Sequence, residues 1–314
     1  MTELRTMNEN KIQLRRVVIN AVMFIIVTIL LDFGIGTLLR HFYFSQTVGQ
    51  TYRTTYVMEK NTSPVLVMGA SRANHHYDPA VLSKATGMEV YNAGRDGSYI
   101  LYNYAVLKTI LKRYSPKTIV YDVTLNDLQT APVDYDRLSS LLPYYQSHPE
   151  IRDILRLRGP FERYKMASKI YPYNSLFLSV IKGNTDDNAA AEAGLKGFIP
   201  LEGEWNRPVK EAGARDHINN ADSVKAAYYR QFMLDCKSAG TRLIIVFSPI
   251  YVKNIHTTPI LNLTRSIAEA NAIPFYDFST DTSFLQHPEY FADPLHLNKT
   301  GAEKFTQKIA ALLK

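Results

Sequence analysis

Two apolar patterns divide this chain into an N-terminal segment and a larger remainder. The first is a continuous apolar run over residues 17–39, VVINAVMFIIVTILLDFGIGTLL. Beyond Val65, short apolar runs of strand length alternate with longer segments that have a helical period. The strands are predicted at 65–69, 89–93, 118–123, 242–248 and 274–278. The helices are predicted at about 78–86, 99–114, 220–239, 257–271 and 299–313.

This alternation predicts an α/β fold. Parallel strands need crossover connections, and helices in those connections cover both faces of the sheet. We therefore expect three α/β/α layers around a mainly parallel five-stranded sheet, one strand for each apolar run. Gly87 and Gly240 follow two of the predicted helices and suit their C-terminal ends. Thr300 and Glu303 have the spacing of a capping box that opens the last helix.

The alternation stops in an insertion over about residues 131–217. Residues 134–182 have a helical pattern, and residues 183–198 have the composition of a mobile loop. Because the insertion follows the third predicted strand, we expect it to overhang that edge of the sheet. Its aromatic side chains could stack on a carbohydrate or a lipid-linked acceptor, or they could pack the insertion against the domain, which is the commoner role. They are Tyr144, Tyr145, Phe161, Tyr164, Tyr171, Tyr173 and Phe177.

The apolar run at 17–39 predicts a single-pass membrane anchor, because about 20 apolar residues are enough to cross a bilayer. Basic residues are more frequent before the run (Arg5, Lys11, Arg15, Arg16) than close behind it (Arg40, Arg53). This bias places the N-terminus in the cytoplasm and the rest of the chain outside, in the periplasm or at the cell surface. A cleaved signal peptide is the alternative, but the run is long for one and no small-x-small cleavage site clearly follows it.

The predicted organisation follows from these patterns. It has a cytoplasmic tail over 1–16, a transmembrane anchor over 17–39, a juxtamembrane linker over 40–63 and the main domain over 64–314. Within the anchor, Asp32 is either a carboxylate near the interface or a group that contacts a partner protein, and the first is the simpler interpretation. The aromatic run 42–44 fits a belt at the membrane interface.

Composition and charge narrow the class of protein. The chain has 314 residues, 46% of them hydrophobic and 21% charged, as in an ordinary folded protein. The net charge of +7 is not concentrated in a basic block, and neither zinc-ligand spacing nor an aromatic-basic motif occurs, so we expect no nucleic-acid partner. Cys236 is the only cysteine, which excludes an intramolecular disulfide; its helical context indicates a small buried side chain.

Candidate chemistry lies at the strand ends. Ser71 follows the first strand in the sequence P-V-L-V-M-G-A-S-R, at the sheet edge where α/β proteins bind ligands. Asp293-Pro-Leu-His296 precedes the last helix, and a carboxylate three residues before a histidine can orient its ring as a general base. Two further blocks end the second and third strands. They are Asn92-Ala-Gly94 and Asn126-Asp127.

In this order, these four blocks resemble the SGNH (GDSL-like) hydrolase superfamily. The resemblance covers about residues 64–314, except for the insertion. The chain has Gly-Ala-Ser where the family has Gly-Asp-Ser, and Thr124 where the family has a glycine. The resemblance implies a flavodoxin-like sheet and a catalytic Ser71, His296 and Asp293. It also implies an oxyanion hole formed by the Ser71 and Gly94 backbone N–H groups and the Asn126 side-chain amide, with no metal or organic cofactor.

The resemblance also suggests an activity. Anchored outward-facing domains of this kind resemble proteins that add or remove acetyl groups on envelope polysaccharides, often with a multi-pass membrane O-acyltransferase as partner. The chain is therefore expected to be a serine esterase or O-acyltransferase on acyl esters of envelope glycans. The alternatives are a non-catalytic, membrane-tethered assembly or binding protein with the same fold, and a lipase or thioesterase. Four residues near the site are candidates to bind substrate: His75, His76, Arg95 and Asp96.

Overall fold

A computed structural model describes residues 2–185, 194–213, 216 and 220–313. Half of the predicted loop 183–198, residues 186–193, and the expected end of the insertion at 217 therefore lie outside the described residues. The described strands, in chain order, are β1 (Val65–Gly69), β2 (Val90–Asn92), β3 (Thr118–Asp122), β4 (Lys210–Glu211), β5 (Arg242–Phe247), β6 (Val252–Lys253), β7 (Phe275–Asp277), β8 (Phe291–Asp293) and β9 (His296–Leu297).

Five strands form the central sheet in the order β2-β1-β3-β5-β7, and every neighbouring pair is parallel. The order is that of a flavodoxin-like doubly wound sheet, with the reversal beside β1. The α/β class and all five predicted strands are confirmed, each to within one residue at either end. β1 and β3 are buried along their whole length, as expected for apolar runs covered on both faces.

Alternate residues of β1 divide between the two layers that cover the sheet. Leu66 and Met68 belong to the core cluster that also contains Leu107 of the helix after β2. Val65 and Val67 belong to the opposite cluster, with Phe305 of the last helix. The period of two in a strand thus assigns each apolar side chain to one of the outer layers.

The described α-helices can be given in chain order. They are α1 (Thr2–Phe44), α2 (Gly49–Glu59), α3 (Ser71–His76), α4 (Pro79–Thr86), α5 (Ile100–Arg113), α6 (Pro132–Asp136), α7 (Arg152–Arg156), α8 (Glu162–Lys165), α9 (Phe177–Thr185), α10 (Ser223–Ser238), α11 (Pro259–Ala270), α12 (Thr282–Leu285) and α13 (Lys299–Leu313). Short 3₁₀ turns lie at Leu125–Asp127, Arg137–Tyr144, Pro149–Ile151, Tyr171–Tyr173, Ile255–Thr257 and Pro288–Tyr290.

Five of these helices correspond to the sequence predictions. At their ends, some of the predicted caps are present and one is not. Gly87 follows α4 in the left-handed region with φ +66°, as expected. The predicted capping box at Thr300 is wrong, because α13 begins one residue earlier and Asn298 Oδ1 accepts the Gly301 N–H at 3.0 Å. The sequence patterns also missed α3, a short helix that begins at Ser71 itself.

The C-terminal end of α1 is part of the folded domain. Tyr43 is buried with its ring 5.9 Å from that of Tyr144, so it packs in the core and not in an interfacial belt. α2, within the predicted linker, packs against α5 through a 2.8 Å hydrogen bond between Thr54 and the Tyr102 hydroxyl. The chain has one helix long and apolar enough to cross a membrane among its described residues, at Asn10–Phe44.

The insertion packs mainly beside α1 and α5, and none of its described helices over 132–185 lines the cavity at Ser71. Tyr144, Tyr145 and Tyr173 are buried in the core, which confirms the packing role for these aromatics. Among the described residues of the insertion, those that line the cavity at Ser71 are Lys210, Glu211 and Asp216 near its end, where β4 pairs with β6.

Candidate active site

Ser71, His296 and Asp293 form a continuous hydrogen-bonded chain. Ser71 Oγ lies 2.7 Å from His296 Nε2, and His296 Nδ1 lies 2.9 and 3.0 Å from the two carboxylate oxygens of Asp293. An ionised carboxylate only accepts hydrogen bonds, so Nδ1 carries the ring proton and Nε2 is left to accept from the serine hydroxyl. The arrangement can deprotonate the Ser71 hydroxyl.

The Asp293 carboxylate is held ionised by its neighbours. Its Oδ1 accepts the backbone N–H groups of Leu295 at 2.7 Å and of His296 at 3.1 Å. Partial burial acts to raise the pKa of Asp293, but the His296 ring and these two N–H groups outweigh it, so the pKa lies below the usual value.

Two structural elements bring these side chains together. Ser71 is the first residue of α3, directly beyond the carboxyl end of β1. Asp293 and His296 face each other across the antiparallel β8–β9 hairpin. The fully buried side chains of Phe291 and Leu297 anchor the two strands of the hairpin in the core. The apolar residues next to the functional ones therefore fix the position of the hairpin.

His76 joins α3 to this hairpin. The Leu297 N–H donates to His76 Nε2 at 2.9 Å, and His76 Nδ1 lies 2.9 Å from Ser248 Oγ. Because Nε2 accepts, the ring proton is on Nδ1 and is donated to the serine. Burial, with the nearby His296, Arg72 and His75 acting in the same direction, lowers the pKa of His76 well below its usual value. His76 is thus a buried neutral ring that holds the residue next to His296.

Arg72 fixes α3 to the sheet. Its guanidinium, which is almost fully buried, lies 3.2 Å from the Asp122 carboxylate and 4.1 Å above the centre of the Phe247 ring. It also donates to the backbone carbonyl groups of Val123 and Ser248. The residue that follows Ser71 is therefore tied to the ends of β3 and β5.

Of the three expected oxyanion donors, the structure places two at the serine. The Ser71 N–H lies in the first turn of α3, where N–H groups have no acceptor within the helix. Asn126 lines the same cavity, and its amide donates one hydrogen bond, at 2.9 Å, to the Tyr99 hydroxyl. A side-chain amide has two N–H bonds, so a second donor remains.

Gly94 does not occupy the position expected of an oxyanion donor. Its N–H donates to Asn92 Oδ1 at 2.9 Å, and Gly94 does not line the serine cavity. A Cβ at this position would lie 2.4 Å from the Asn74 backbone nitrogen and 2.7 Å from the Ala73 carbonyl carbon. Glycine is required here because the loop that follows β2 passes directly against the backbone of α3.

The loop that carries Asn126 is held by two buried charges. The Asp127 carboxylate closes a capping box on Thr124, accepting its N–H at 2.6 Å, and accepts the Tyr121 hydroxyl at 2.6 Å. Burial raises the pKa of Asp127 to about 6, although these hydrogen bonds act to lower it. The fully buried Lys225 Nζ donates to the Asn126 carbonyl at 3.1 Å.

A cavity of about 270 Å³ opens beside Ser71, His296 and Asn126. Its apolar wall is formed by Phe247, Ile250, Val252, Ile255 and Leu295. Its polar lining includes Tyr99, Gln129, Lys210, Glu211 and Asp216. Tyr99, which follows Gly94 closely in the sequence, was a possible substrate contact from its position alone. The sequence patterns did not identify the other lining residues, which come from loops and short strands that meet only in the fold.

The four residues expected to bind substrate lie outside this cavity. Arg95 donates to Thr54 Oγ1 at 2.6 Å and to the Gln50 carbonyl at 3.1 Å. Asp96 accepts from the Asn74 amide at 2.7 Å and lies 3.2 Å from His75 Nε2. His75 Nδ1 is 2.7 Å from the Ile199 carbonyl. With His76 bonded as above, these side chains join α2, α3 and the neighbouring loops to one another.

No group of three His, Cys, Asp or Glu side chains in the described part of the chain could hold a metal ion. No protein-family model and no curated protein matches the sequence.

Solved structures with a distant similarity to this chain include the following two. The acetyl xylan esterase AlAXEase has 12% identity and a TM-score of 0.41, and the similarity covers 80% of this chain and 100% of that one. LAE5, an alpha/beta hydrolase enzyme from the metagenome of Lake Arreo in Spain, has 11% identity and a TM-score of 0.39, over 82% of this chain and 99% of its own.

Proposed function

We propose that this chain is an SGNH-like serine esterase or O-acyltransferase whose nucleophile is Ser71. The observation that carries the proposal is the 2.7 Å contact of Ser71 Oγ with a His296 ring whose other nitrogen is bound to Asp293. A serine hydroxyl is a weak nucleophile until a base in hydrogen-bond contact removes its proton. A binding protein does not require all three groups in this arrangement.

In the proposed reaction, Ser71 Oγ attacks the carbonyl carbon of an ester while its proton passes to His296 Nε2. The Asp293 carboxylate stabilises the resulting imidazolium. His296 returns the proton to the departing alkoxide, which leaves an acyl-Ser71 ester. Water or a sugar hydroxyl then gives its proton to His296 and attacks the acyl group, and Ser71 leaves with the returned proton.

The negative charge on the tetrahedral intermediate would be stabilised by the Ser71 N–H and by the second N–H of the Asn126 amide. Loss of one such donor typically lowers turnover by about 10²–10³. With the Gly94 N–H already bonded to Asn92, the oxyanion hole proposed here has these two donors.

The lining of the cavity suits an ester between a small acyl group and a polar alcohol. Its apolar wall, with Ile250 and Leu295, suits an acyl chain as short as acetyl, whereas Tyr99, Gln129 and Lys210 offer hydrogen bonds to hydroxyl groups. We therefore propose acetyl esters of cell-envelope glycans as the substrate class. The excess of basic residues before α1 supports an extracytoplasmic location for the domain. A multi-pass membrane O-acyltransferase would supply the acyl group to it there.

The full-length protein in detergent micelles, offered a short-chain aryl acetate, tests the esterase chemistry. We expect hydrolysis by the wild type and its loss in Ser71→Ala. Adding oligosaccharide acceptors then separates the two activities, because a transferase forms acetylated sugar at the expense of free acetate. Absence of any Ser71-dependent turnover by folded protein would instead favour a tethered binding protein.

A further inference from the structure

The carboxylate near the C-terminal end of the apolar run, Asp32, has partners far along the chain. The Asp32 carboxylate accepts hydrogen bonds from Ser168 Oγ at 2.5 Å, from the Lys169 N–H at 2.7 Å and from the Ile170 N–H at 3.2 Å. All three donors belong to one turn of the insertion. Asp32 therefore joins the apolar helix to the insertion of the same chain.

One turn further along α1, the backbone of the helix comes into direct contact with the backbone of the insertion. Gly36 is buried, and a Cβ on it would lie 2.4 Å from the Lys169 carbonyl carbon and 2.6 Å from its oxygen. Asp32 and Gly36 are four residues apart and so lie on the same face of the helix. The turn at Lys169 thus packs on α1 through the hydrogen bonds of the Asp32 carboxylate and the close backbone contact at Gly36.

The position of Asp32 along α1 indicates how deep in the membrane this contact lies. Asp32 precedes Leu39, the last residue of the predicted span, by seven residues, which corresponds to about 10 Å of helix. A hydrocarbon core of about 30 Å takes about 20 helical residues, so a span that begins near Val17 reaches to about Gly36. The turn of the insertion that binds Asp32 therefore lies at or below the outer boundary of the hydrocarbon.

The segments on either side of this turn expose large apolar side chains. Leu178 on α9 is 80% exposed, and Phe161 and Tyr164 beside α8 are 65% and 64% exposed. The full exposed set, which we call the insertion surface, is Phe161, Tyr164, Phe177, Leu178 and Ile181. α9 is joined to the outer end of α1, because the Asn184 amide donates to the Phe42 carbonyl at 2.8 Å. The α9 part of the insertion surface therefore lies beside the outer end of the apolar helix.

Charge around this surface is basic. Arg163, Lys165, Lys169 and Lys182 lie on the same segments, whereas the neighbouring Glu162 is buried and bound by Arg158 and Lys165. Apolar side chains among cationic ones suit the headgroup region of a membrane that contains anionic lipids.

We propose that the insertion surface lies in the outer leaflet of the bilayer, so that the domain is held on the membrane by the insertion as well as by α1. This proposal rests on membrane anchoring through α1, which is part of the proposed function, and is independent of the serine chemistry. The occupant of the surface is lipid. A second protein bound there would leave these side chains inaccessible to lipid-borne probes.

Tryptophan quenching in full-length protein reconstituted into anionic nanodiscs tests this placement. Trp205 is the only tryptophan, and its indole N–H has no hydrogen-bond partner among the described residues, so Trp205→Phe gives a silent background. In that background Phe161→Trp and Leu178→Trp place a reporter on the insertion surface. We expect lipids brominated near the headgroup end of the acyl chain to remove most of the emission of both variants.

Two further variants in the same background separate the possible failures. Leu234→Trp, on α10 and outside the insertion, is a matched exposed leucine that we expect to keep its emission. Phe24 lies seven residues, about 10 Å of helix, beyond Val17, so Phe24→Trp with lipids brominated near the middle of the acyl chain reports whether α1 itself is inserted. If Phe24→Trp is quenched while either insertion reporter behaves like Leu234→Trp, the insertion surface does not lie in lipid. If Phe24→Trp is not quenched, the anchoring premise fails, and the proposal fails with it.

Discussion

Replacement of Lys225 by methionine should separate the stability of the fold from the placement of Asn126. Lys225 is fully buried, and its Nζ donates to the Asp134 carboxylate, to the Gln129 carbonyl at 2.7 Å and to the Asn126 carbonyl at 3.1 Å. Methionine keeps most of the length and apolar contact of the lysine. It removes three hydrogen bonds and leaves the Asp134 carboxylate, only 8% exposed, without its cation.

The cost of this change can be worked out from burial. Removing one member of a buried ion pair typically costs about 3–5 kcal/mol, because the remaining charge has no partner, whereas replacing both members by uncharged side chains is often nearly neutral. We therefore expect Lys225→Met to lose about 3–5 kcal/mol of unfolding free energy. The double variant with Asp134→Asn should recover most of that loss.

Turnover should not recover with stability. The Asn126 carbonyl remains without its lysine donor in both variants, so the loop that presents the Asn126 amide is free to shift. A lost oxyanion donor lowers turnover by about 10²–10³, and we expect a fall of this order in the single and the double variant.

Thermal unfolding of the full-length protein in detergent, followed by Trp205 fluorescence, gives the stability, and aryl acetate hydrolysis gives the turnover. Lys237→Met, an exposed lysine on the same helix, is the matched control and should change unfolding free energy by no more than about 0.5 kcal/mol. A stable Lys225→Met, or a double variant with wild-type turnover, would refute this account of the loop.

Three further substitutions test other buried groups. Burial raises the pKa of Asp127 to about 6, so protonation of Asp127 stabilises the folded state at low pH, and this stabilisation is lost as the pH rises through 6. In melts at a series of pH values, the unfolding free energy of the wild type relative to Asp127→Asn should rise by ~1.4 kcal/mol for each pH unit from 6 down to about 4. His76→Leu leaves the buried Leu297 N–H unpaired and should cost about 1–3 kcal/mol with loss of turnover, whereas His76→Gln, which can place an acceptor near Nε2, should retain more of both. Gly94→Ala drives a methyl group into the α3 backbone and should cost about 1–3 kcal/mol in the same melts and lower turnover by displacing Ser71.

Much of the fold was predictable from local patterns. The strands were found because each is a short apolar run followed by a polar or small residue, and β1 ends within two residues of Ser71. Asp293 and His296 were found because a carboxylate and a ring three residues apart can meet within one hairpin. Such features depend on residues that are close in sequence, so a local sequence pattern can predict them.

Other features depend on residues that are distant in sequence. The Gly94 N–H is taken by Asn92, whose side chain folds back over its own loop, and spacing alone does not reveal which acceptor an N–H will find. Asp32 is paired with a turn more than 130 residues away. The packing of the insertion beside α1 likewise follows from this long-range pairing, and not from its position after β3.

One missed residue did leave a signal in the sequence. Lys225 occupies the apolar face of α10, in register with the buried Tyr229, Phe232, Met233 and Cys236. A lysine at a core position of an amphipathic helix indicates a buried charge that must have a partner. Its partner, Asp134, lies in the insertion, and only the fold brings the two together.

The central claim is that His296 makes the Ser71 hydroxyl nucleophilic. A fluorophosphonate probe reacts with such an activated serine, and peptide mass spectrometry of the labelled full-length protein locates the adduct. We expect an adduct on Ser71 in the wild type, none on that peptide in Ser71→Ala, and a large fall in labelling rate in His296→Ala. An unlabelled Ser71 in folded wild-type protein, or undiminished labelling of Ser71 in His296→Ala, would contradict it.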